Sequence, residues 1–338
     1  MSSSTVIITC YNLERFIGAA IESVLGQDYV DKPEIIVVDD CSTDGSELVI
    51  RSYPVKYVRT DRNCGSLLAM LAGLEIASND IICLLDGDDI WREDKLKEVS
   101  ERFVRNPRIA FITHDLAFID SSGEPVHRVS RPQQVLGASS PGERGERIRQ
   151  GILQHGDYIW LGSALSFRRS LARAEEFIAW ARSLPDPANT YQDWPLAFWI
   201  AALPDVELGY VAEKLFNYRL HGSNHSGDAS TPVKAIRNFR RTRNTIAAMR
   251  EIASMRRLSS EIEEALSERL RFLDYVLDLY SGRKGRAALG WLRNLAYVRR
   301  KRIFWKEAAR FIAIQLWGPT RFANASARRS MFRNLPAS

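Results

Sequence analysis

Four times in the first hundred residues a short apolar run gives way to a longer stretch with apolar residues at helical spacing. This alternation constrains the fold more than any other feature of the chain. "TVIIT" (Thr5–Thr9) reads as a buried strand, and Phe16, Ile17, Ala20, Ile21, Val24 and Leu25 then form one helical stripe. "EIIVVDD" precedes "STDGSELVIRSY", "VKYVRT" precedes "CGSLLAMLAGLEIA", and "DIICLLD" precedes "REDKLKEVSERFVRN". Repeated strand and helix units imply an α/β fold, with a parallel sheet covered by helices on both faces and joined by right-handed crossovers. In such sheets ligands bind at the carboxyl ends of the strands. Three strand ends converge there with polar residues: Thr9, Tyr11 and Asn12; Asp39 and Asp40; and Asp86, Asp88 and Asp89.

The segment "IICLLDGDDIW" is the sharpest local signal. Five apolar residues suited to a buried strand run directly into three carboxylates, which resist desolvation and repel one another. Hard oxygen ligands at this density suit Mg²⁺ or Mn²⁺, and such an ion neutralises a diphosphate. The structural alternative is a plain turn in which Asp89 caps the helix that follows.

Beyond residue 110 the pattern changes. "RIAFITHDLAFIDSSGEPVHRV" reads as two strands around a Ser-Ser-Gly turn, and "SRPQQVLGASSPGERGE" as a loop. "YIWLGSALSFRRS" reads as a strand entering a helix, "YQDWPLAFWIAALP" as a helix start, and "VELGYVAEKLFNYRLHGSNHSG" as a strand pair ending in a polar loop. The remainder is helical and basic: residues 231–338 hold 24 Lys/Arg against 8 Asp/Glu, while residues 1–230 hold 23 against 33. Ile303, Phe304, Phe311, Ile312 and Ile314 stand beside this charge, with Trp305 and Trp317 near the ends, a composition suited to an anionic membrane surface or to a plain helical bundle. No helix-turn-helix, aromatic RNA-binding or zinc-finger signature supports a nucleic-acid partner. The four cysteines lack metal or CxxC spacing, and no run reaches bilayer-spanning length. The expectation is a cytoplasmic protein, peripheral on the inner face of the membrane if it touches one.

The segments "VIITCYNLERFIGAAIESVLGQ", "EIIVVDDCSTDGS", "NCGSLLAMLAGLEIASNDIICLLDGDDIW", "QDW" and "YRLHGSNHS" occur in an order that resembles the family 2 glycosyltransferases. The resemblance spans roughly residues 4–226. It implies the α/β GT-A fold, a Rossmann-like nucleotide-diphospho-sugar transferase fold, here with a C-terminal α-helical extension. Residues 1–115 would form its nucleotide-sugar-binding half, 116–230 its acceptor-binding and catalytic half, and 231–338 a basic helical region. By the same resemblance Asp40 binds the nucleobase, with Thr9 and Tyr11 shaping the pocket. Asp86 and Asp88 serve the ribose and the metal-diphosphate, and Asp88, Asp89 and His221 are the candidate ligands of Mn²⁺ or Mg²⁺.

Asp193 of "QDW" matches the family's catalytic base, although Asp before Trp-Pro is also a good helix cap. Gln192 departs from the commoner acidic or His neighbour. Arg219 is a candidate phosphate contact, and Trp160, Gly162, Ser163 and Trp194 belong to the region around the acceptor and diphosphate. Asp40 has its own alternative as the cap of the turn into "STDGS". The implied reaction is inverting transfer of a sugar from a UDP- or dTDP-linked donor to a saccharide or lipid-linked glycan in surface polysaccharide synthesis. Spacing similar to the rhamnosyltransferase-like branch points to dTDP. Two other readings compete: a nucleotidyltransferase, although "CYNLERF" after the first strand lacks a triphosphate-binding Gly-rich loop, and a non-enzymatic membrane-surface module.

Overall fold

Strand β1 (Ser4–Cys10) pairs in parallel with β2 (Glu34–Asp39) on one side and β4 (Ile81–Asp86) on the other, and β3 (Lys56–Arg59) extends the sheet beyond β2. The computed structural model describes residues 3–128, 141–155, 162–222, 231–301 and 303–333. The two-residue period of β1 sends its side chains to two layers. Val6, Ile8 and Cys10 pack with Ile17, Ala20, Ile21 and Val24 of α1 (Ile17–Leu25), in a core shared by Ile50 of α2 (Ser46–Arg51) and by Leu96, Val99 and Phe103 of α4 (Lys95–Arg105). Ile7 meets α3 (Ser66–Ile76), which approaches so closely that a Cβ on Gly73 would stand 2.6 Å from Ile7 Cγ2. Cover on both faces explains why these strands read as continuous apolar runs.

Five further strands complete a mixed sheet: β5 (Ile90–Trp91), β6 (Ile109–Ile119), β7 (Pro125–Val126), β8 (Ser166–Arg168) and β9 (Glu207–Arg219). The order is β3-β2-β1-β4-β8-β6-β9-β5, with β7 on β6. β8 runs antiparallel to β4 and β6, while β9 runs parallel to β6. The expected β6–β7 hairpin is present, turning at Gly123 (φ 94°).

Three readings of the middle region are corrected. Residues 207–219 form one strand, not two, because register shifts against β6 around Asp115 absorb Ala212-Glu213-Lys214, which stay exposed within it. The loop expected over residues 130–146 overlaps a helix, α5 (Pro141–His155), and its first part, 130–140, lies outside the described residues. Its buried Ile148 and Ile152, and Arg149 donating to the carbonyls of Ala201 and Leu203 at 2.5 and 2.8 Å, override a Gly-rich start. In "LGSALSFRRS", Gly162–Ala164 form a 3-10 turn ahead of β8, and α6 starts only at Ala174 (Ala174–Arg182). Helix α7 (Asp193–Ala201) follows, with Trp199 buried in the core and its Nε1 donating to Ala172 O at 2.9 Å.

The chain divides into two compact units, residues 1–221 with 255–257, and residues 222–254 with 258–338. The second comprises α8 (Pro232–Met255), α9 (Ser260–Tyr280), α10 (Lys284–Arg293), α11 (Leu295–Arg300) and α12 (Phe304–Arg333), the last bent at Gly318 (φ 78°). It has its own core of Ala235, Tyr275, Val276, Leu279, Ala287 and Ile314, with Trp291 and Phe311 packed against it. No helix among the described residues is long and apolar enough to cross a membrane. All four cysteines are free thiols.

Candidate active site

The acidic loop at the end of β4 is tied to β1 and to the turn before β8. Gly87 N–H donates to Thr9 O at 2.9 Å, and a side chain at position 87 would collide with that carbonyl and with Leu13 and Ile17. Ser163, fully buried, accepts from Asp86 N–H at 3.0 Å and donates to Asp89 Oδ2 at 2.6 Å. The other Asp89 oxygen accepts Arg219 N–H at 3.0 Å. Both oxygens of Asp89 are thus taken by the protein's own donors, and burial with the neighbouring Asp88 and Asp86 charges holds its pKa well above the ordinary carboxylate value. Under this loop lies a fully buried lysine: Lys95 Nζ donates to Ser163 O at 2.6 Å and sits 3.6 Å from the centre of the Trp91 ring.

Asp86 and Asp88 have different surroundings. Thr9 Oγ1 lies 3.4 Å from Asp86 Oδ1, and Gln192 Nε2 donates to the same oxygen at 2.7 Å. Burial, followed by the Asp88 and Asp193 charges, pushes the Asp86 carboxyl up to about 7. Asp193, the first residue of α7, therefore lies within electrostatic reach of the strand-end acids. One of its oxygens accepts Trp194 N–H at 3.1 Å, so it also satisfies a donor in the first turn of the helix. Asp88 Oδ2 is 2.9 Å from His221 Nε2, and the His221 ring packs on Phe16 with centroids 4.7 Å apart.

At the end of β2 the two aspartates divide their work. Asp39 accepts from Tyr57, Arg59 and Ser42 N–H at 3.0, 2.7 and 2.8 Å, so it holds the turn into "STDGS". Asp40 accepts Cys64 N–H at 2.7 Å, Gly65 N–H at 2.8 Å and the Thr60 hydroxyl at 3.0 Å. It fixes the turn into α3 rather than the turn expected of it. Gly65 has φ 86°, and a Cβ there would stand 2.2 Å from Ala188 O. Thr9 and half-buried Tyr11 flank this region at the end of β1.

Arg219 ends β9 and is nearly buried. Its Nε donates to Asp88 O at 2.9 Å, and its guanidinium lies 5.1 Å from the Phe16 ring. Trp194 stacks on Tyr191 at 5.3 Å. A Cβ on Gly162 would stand 3.0 Å from Gln192 Nε2 and 3.2 Å from the Asp86 oxygens, so the bare backbone there keeps the space between them. Trp160 lies outside the described residues. The sequence reading missed Lys95; the available signal was a lysine on the apolar stripe of Leu96, Val99 and Phe103.

The donor chemistry fits a hard divalent ion. Besides burial, the Asp88 and Asp193 charges raise the proton affinity of Asp86, as a negative cluster does, and Gln192 Oε1 is buried without a hydrogen-bond partner. No three His, Cys, Asp or Glu residues among those described form a ready-made metal cage. Mg²⁺-type sites need none, because one or two carboxylates and the substrate's phosphates suffice. A separate open cavity of about 540 Å³ lies at the opposite end of β4, where Arg169 is paired with Glu175 and bonded to Ala77 O at 2.6 Å.

A family model described as glycosyl transferase family 2 matches residues 5–172. An uncharacterized glycosyltransferase of Nostoc sp. is 30% identical over 237 residues, covering 67% of this chain and 67% of its own length. A putative teichuronic acid biosynthesis glycosyltransferase of Bacillus subtilis is 32% identical over 137 residues, 39% of this chain and 54% of its own. Among solved structures, a mannosyltransferase from Pyrobaculum calidifontis in complex with GDP-Man and Mn²⁺ superposes with a TM-score of 0.52 at 16% identity, covering 99% of this chain and 88% of that one. At that identity the likeness is one of fold.

Proposed function

Since this chain belongs to glycosyl transferase family 2, we propose that it is a metal-dependent, inverting glycosyltransferase moving a sugar from a nucleoside diphosphate donor to a saccharide or lipid-linked glycan. The observation that carries this reading is the Gln192–Asp86 hydrogen bond, between residues 106 positions apart in sequence, which ties the start of the helix that begins with Asp193 to the strand-end acids. A base and a donor-binding acid at one site are what an inverting transfer needs.

In this reading Asp40, Thr9 and Tyr11 border the nucleobase and Asp86 takes a ribose or sugar hydroxyl. Asp88 and His221 would hold Mn²⁺ or Mg²⁺, which when bound neutralises the diphosphate leaving group. Asp89 supports them from beneath, since its two oxygens already accept from Ser163 and Arg219. The acceptor hydroxyl oxygen attacks the anomeric carbon from the face opposite the diphosphate. The bond from that carbon to the diphosphate oxygen breaks with its electron pair, and Asp193 takes the hydroxyl proton. Gly162 keeps the space beside Asp86 open, and Trp194 offers an aromatic face to a sugar ring. Arg219 steadies the loop through Asp88 O and stands near the diphosphate.

The teichuronic acid relative supports a surface polysaccharide as the product class. A lipid-linked acceptor and the basic C-terminal region together support a position on the inner face of an anionic membrane.

The test is a thermal-shift panel of UDP, dTDP and GDP with and without Mn²⁺. GDP is included because the structural neighbour binds GDP-Man. Metal-dependent stabilisation by one base is expected, because a ligand bound only by the folded state raises its apparent stability. Stabilisation by none of the three would overturn the reading.

A further inference from the structure

Helix α12 is apolar on two opposite faces, and only one is used inside the protein. Ile314 is buried, Phe311 packs against the core of the second unit, and Glu307 is buried and paired with Arg310 at 3.1 Å. On the other side Trp305, Ile312 and Leu316 are 82, 55 and 72% exposed. Their spacings of seven and four residues bring them onto one line along a helix of 3.6 residues per turn. Trp317, beside this line, is also exposed. Helix α10 repeats the pattern: Trp291 stacks on Phe311 at 5.6 Å on the packed side, while Leu289 and Leu292 are exposed. Two neighbouring helices thus leave large apolar side chains in water, an arrangement that marks an interaction surface.

Charge identifies the occupant. From residue 279 to residue 338 the sequence has 14 Lys/Arg and a single acid, Glu307, and that acid is buried. Lys306 is exposed next to Trp305 and Arg321 is exposed beyond the bend at Gly318, and Lys284, Arg286 and Arg293 are exposed on α10, Arg286 lying 4.0 Å from Asp278. A surface of exposed aromatic and aliphatic side chains rimmed mainly by cations complements an anionic lipid bilayer, where apolar groups enter the acyl boundary and cations meet the headgroups. The same excess of one charge disfavours self-association through this face.

We propose that the exposed Trp305–Ile312–Leu316 stripe of α12 is a docking surface for anionic lipid that lies on the bilayer without crossing it. This deepens the membrane-surface part of the proposed function and rests on that reading. The stripe supplies insertion depth and the cations supply selectivity for negative headgroups.

The experiment is co-sedimentation of the full chain with phosphatidylcholine vesicles, with and without about 30% phosphatidylglycerol. It compares wild type with the triple variant Trp305→Ser, Ile312→Ser, Leu316→Ser, whose folding is checked by circular dichroism. Wild type is expected on the anionic vesicles only, with the triple variant partitioning about tenfold more weakly. Equal sedimentation of the two proteins would overturn the proposal, as would wild type that binds neither vesicle or both equally. So would a dimer seen by light scattering that the triple substitution dissolves, since the occupant would then be a second copy. Wild type that fails to bind anionic vesicles while its nucleotide-dependent thermal stabilisation is intact sinks this inference alone. Vesicle binding without nucleotide stabilisation sinks the transferase reading instead.

Discussion

Gln192 Nε2 donates to Asp86 Oδ1 at 2.7 Å, joining the residue before α7 to the last residue of β4. An uncharged side chain therefore links the helix that begins with Asp193 to the acids at the strand end. A carboxylate in its place would add a further negative charge to a buried cluster that already raises Asp86 to about 7. An amide provides the connection without that cost.

Gln192→Glu is expected to lower kcat/KM by at least about tenfold, because two adjacent buried carboxyls share a proton and Asp86 loses a donor. Gln192→Met, which keeps the volume but not the hydrogen bond, should retain the fold and also lose activity. Steady-state kinetics beside melting temperatures check this; wild-type kinetics in both variants would show that the link is dispensable.

The folded-state pKa of Asp86 lies above its ordinary value of 3.8, and burial moves Asp89 the same way. Between about pH 4 and 7 the folded protein retains a proton that the unfolded chain has released, so this contribution to stability is lost as pH rises through that window. Metal binding favours the ionised carboxylate. The rise in melting temperature produced by Mn²⁺ with a nucleoside diphosphate is therefore expected to grow from pH 5 to pH 8. An increment that stays constant or shrinks over this range would contradict the assignment.

Asp193→Asn is expected to reduce turnover by roughly 10²- to 10⁴-fold, the usual contribution of a positioned base, while stabilisation by the donor persists. Asparagine keeps an oxygen for the Trp194 N–H, so the helix start survives. Parallel loss of donor binding and turnover would mean that Asp193 acts through structure.

The first four strands and their helices were legible because β1, β2 and β4 are buried on both faces and the helices carry apolar residues at helical spacing. The family resemblance rested on these segments together with "QDW" and "YRLHGSNHS". What escaped the sequence depended on distant partners. The start of α5 is Gly-rich, and its helix is held by buried Ile148 and Ile152 and by Arg149 reaching carbonyls near residue 203. Exposed Glu213 and Lys214 resemble a turn until the register shifts against β6 are seen. Within the site, the roles of Asp88 and Asp89 separate only when Ser163, distant in sequence, takes one Asp89 oxygen and Arg219 N–H takes the other. No local pattern encodes that pair of hydrogen bonds.

Lys95 offers the last test, because its effects on stability and on activity have different pH signatures. Burial pushes its pKa from 10.5 down to about 7. Between about pH 7 and 10 the unfolded chain binds a proton that the folded protein has lost, so the lysine's penalty is fully present below pH 7 and disappears as pH rises through that window. Lys95→Met removes the penalty, but leaves Ser163 O without its donor, at a pH-independent cost of about 1–3 kcal/mol. Relative to wild type, the variant should be most favoured near pH 6 and lose that advantage by pH 10, as read from urea midpoints. Its kcat/KM should fall at every pH, since Ser163 positions both Asp86 and Asp89. A stability difference that does not change with pH would show that Lys95 keeps its ordinary pKa in the folded protein, and unchanged kinetics would show that the acidic loop holds its shape without it.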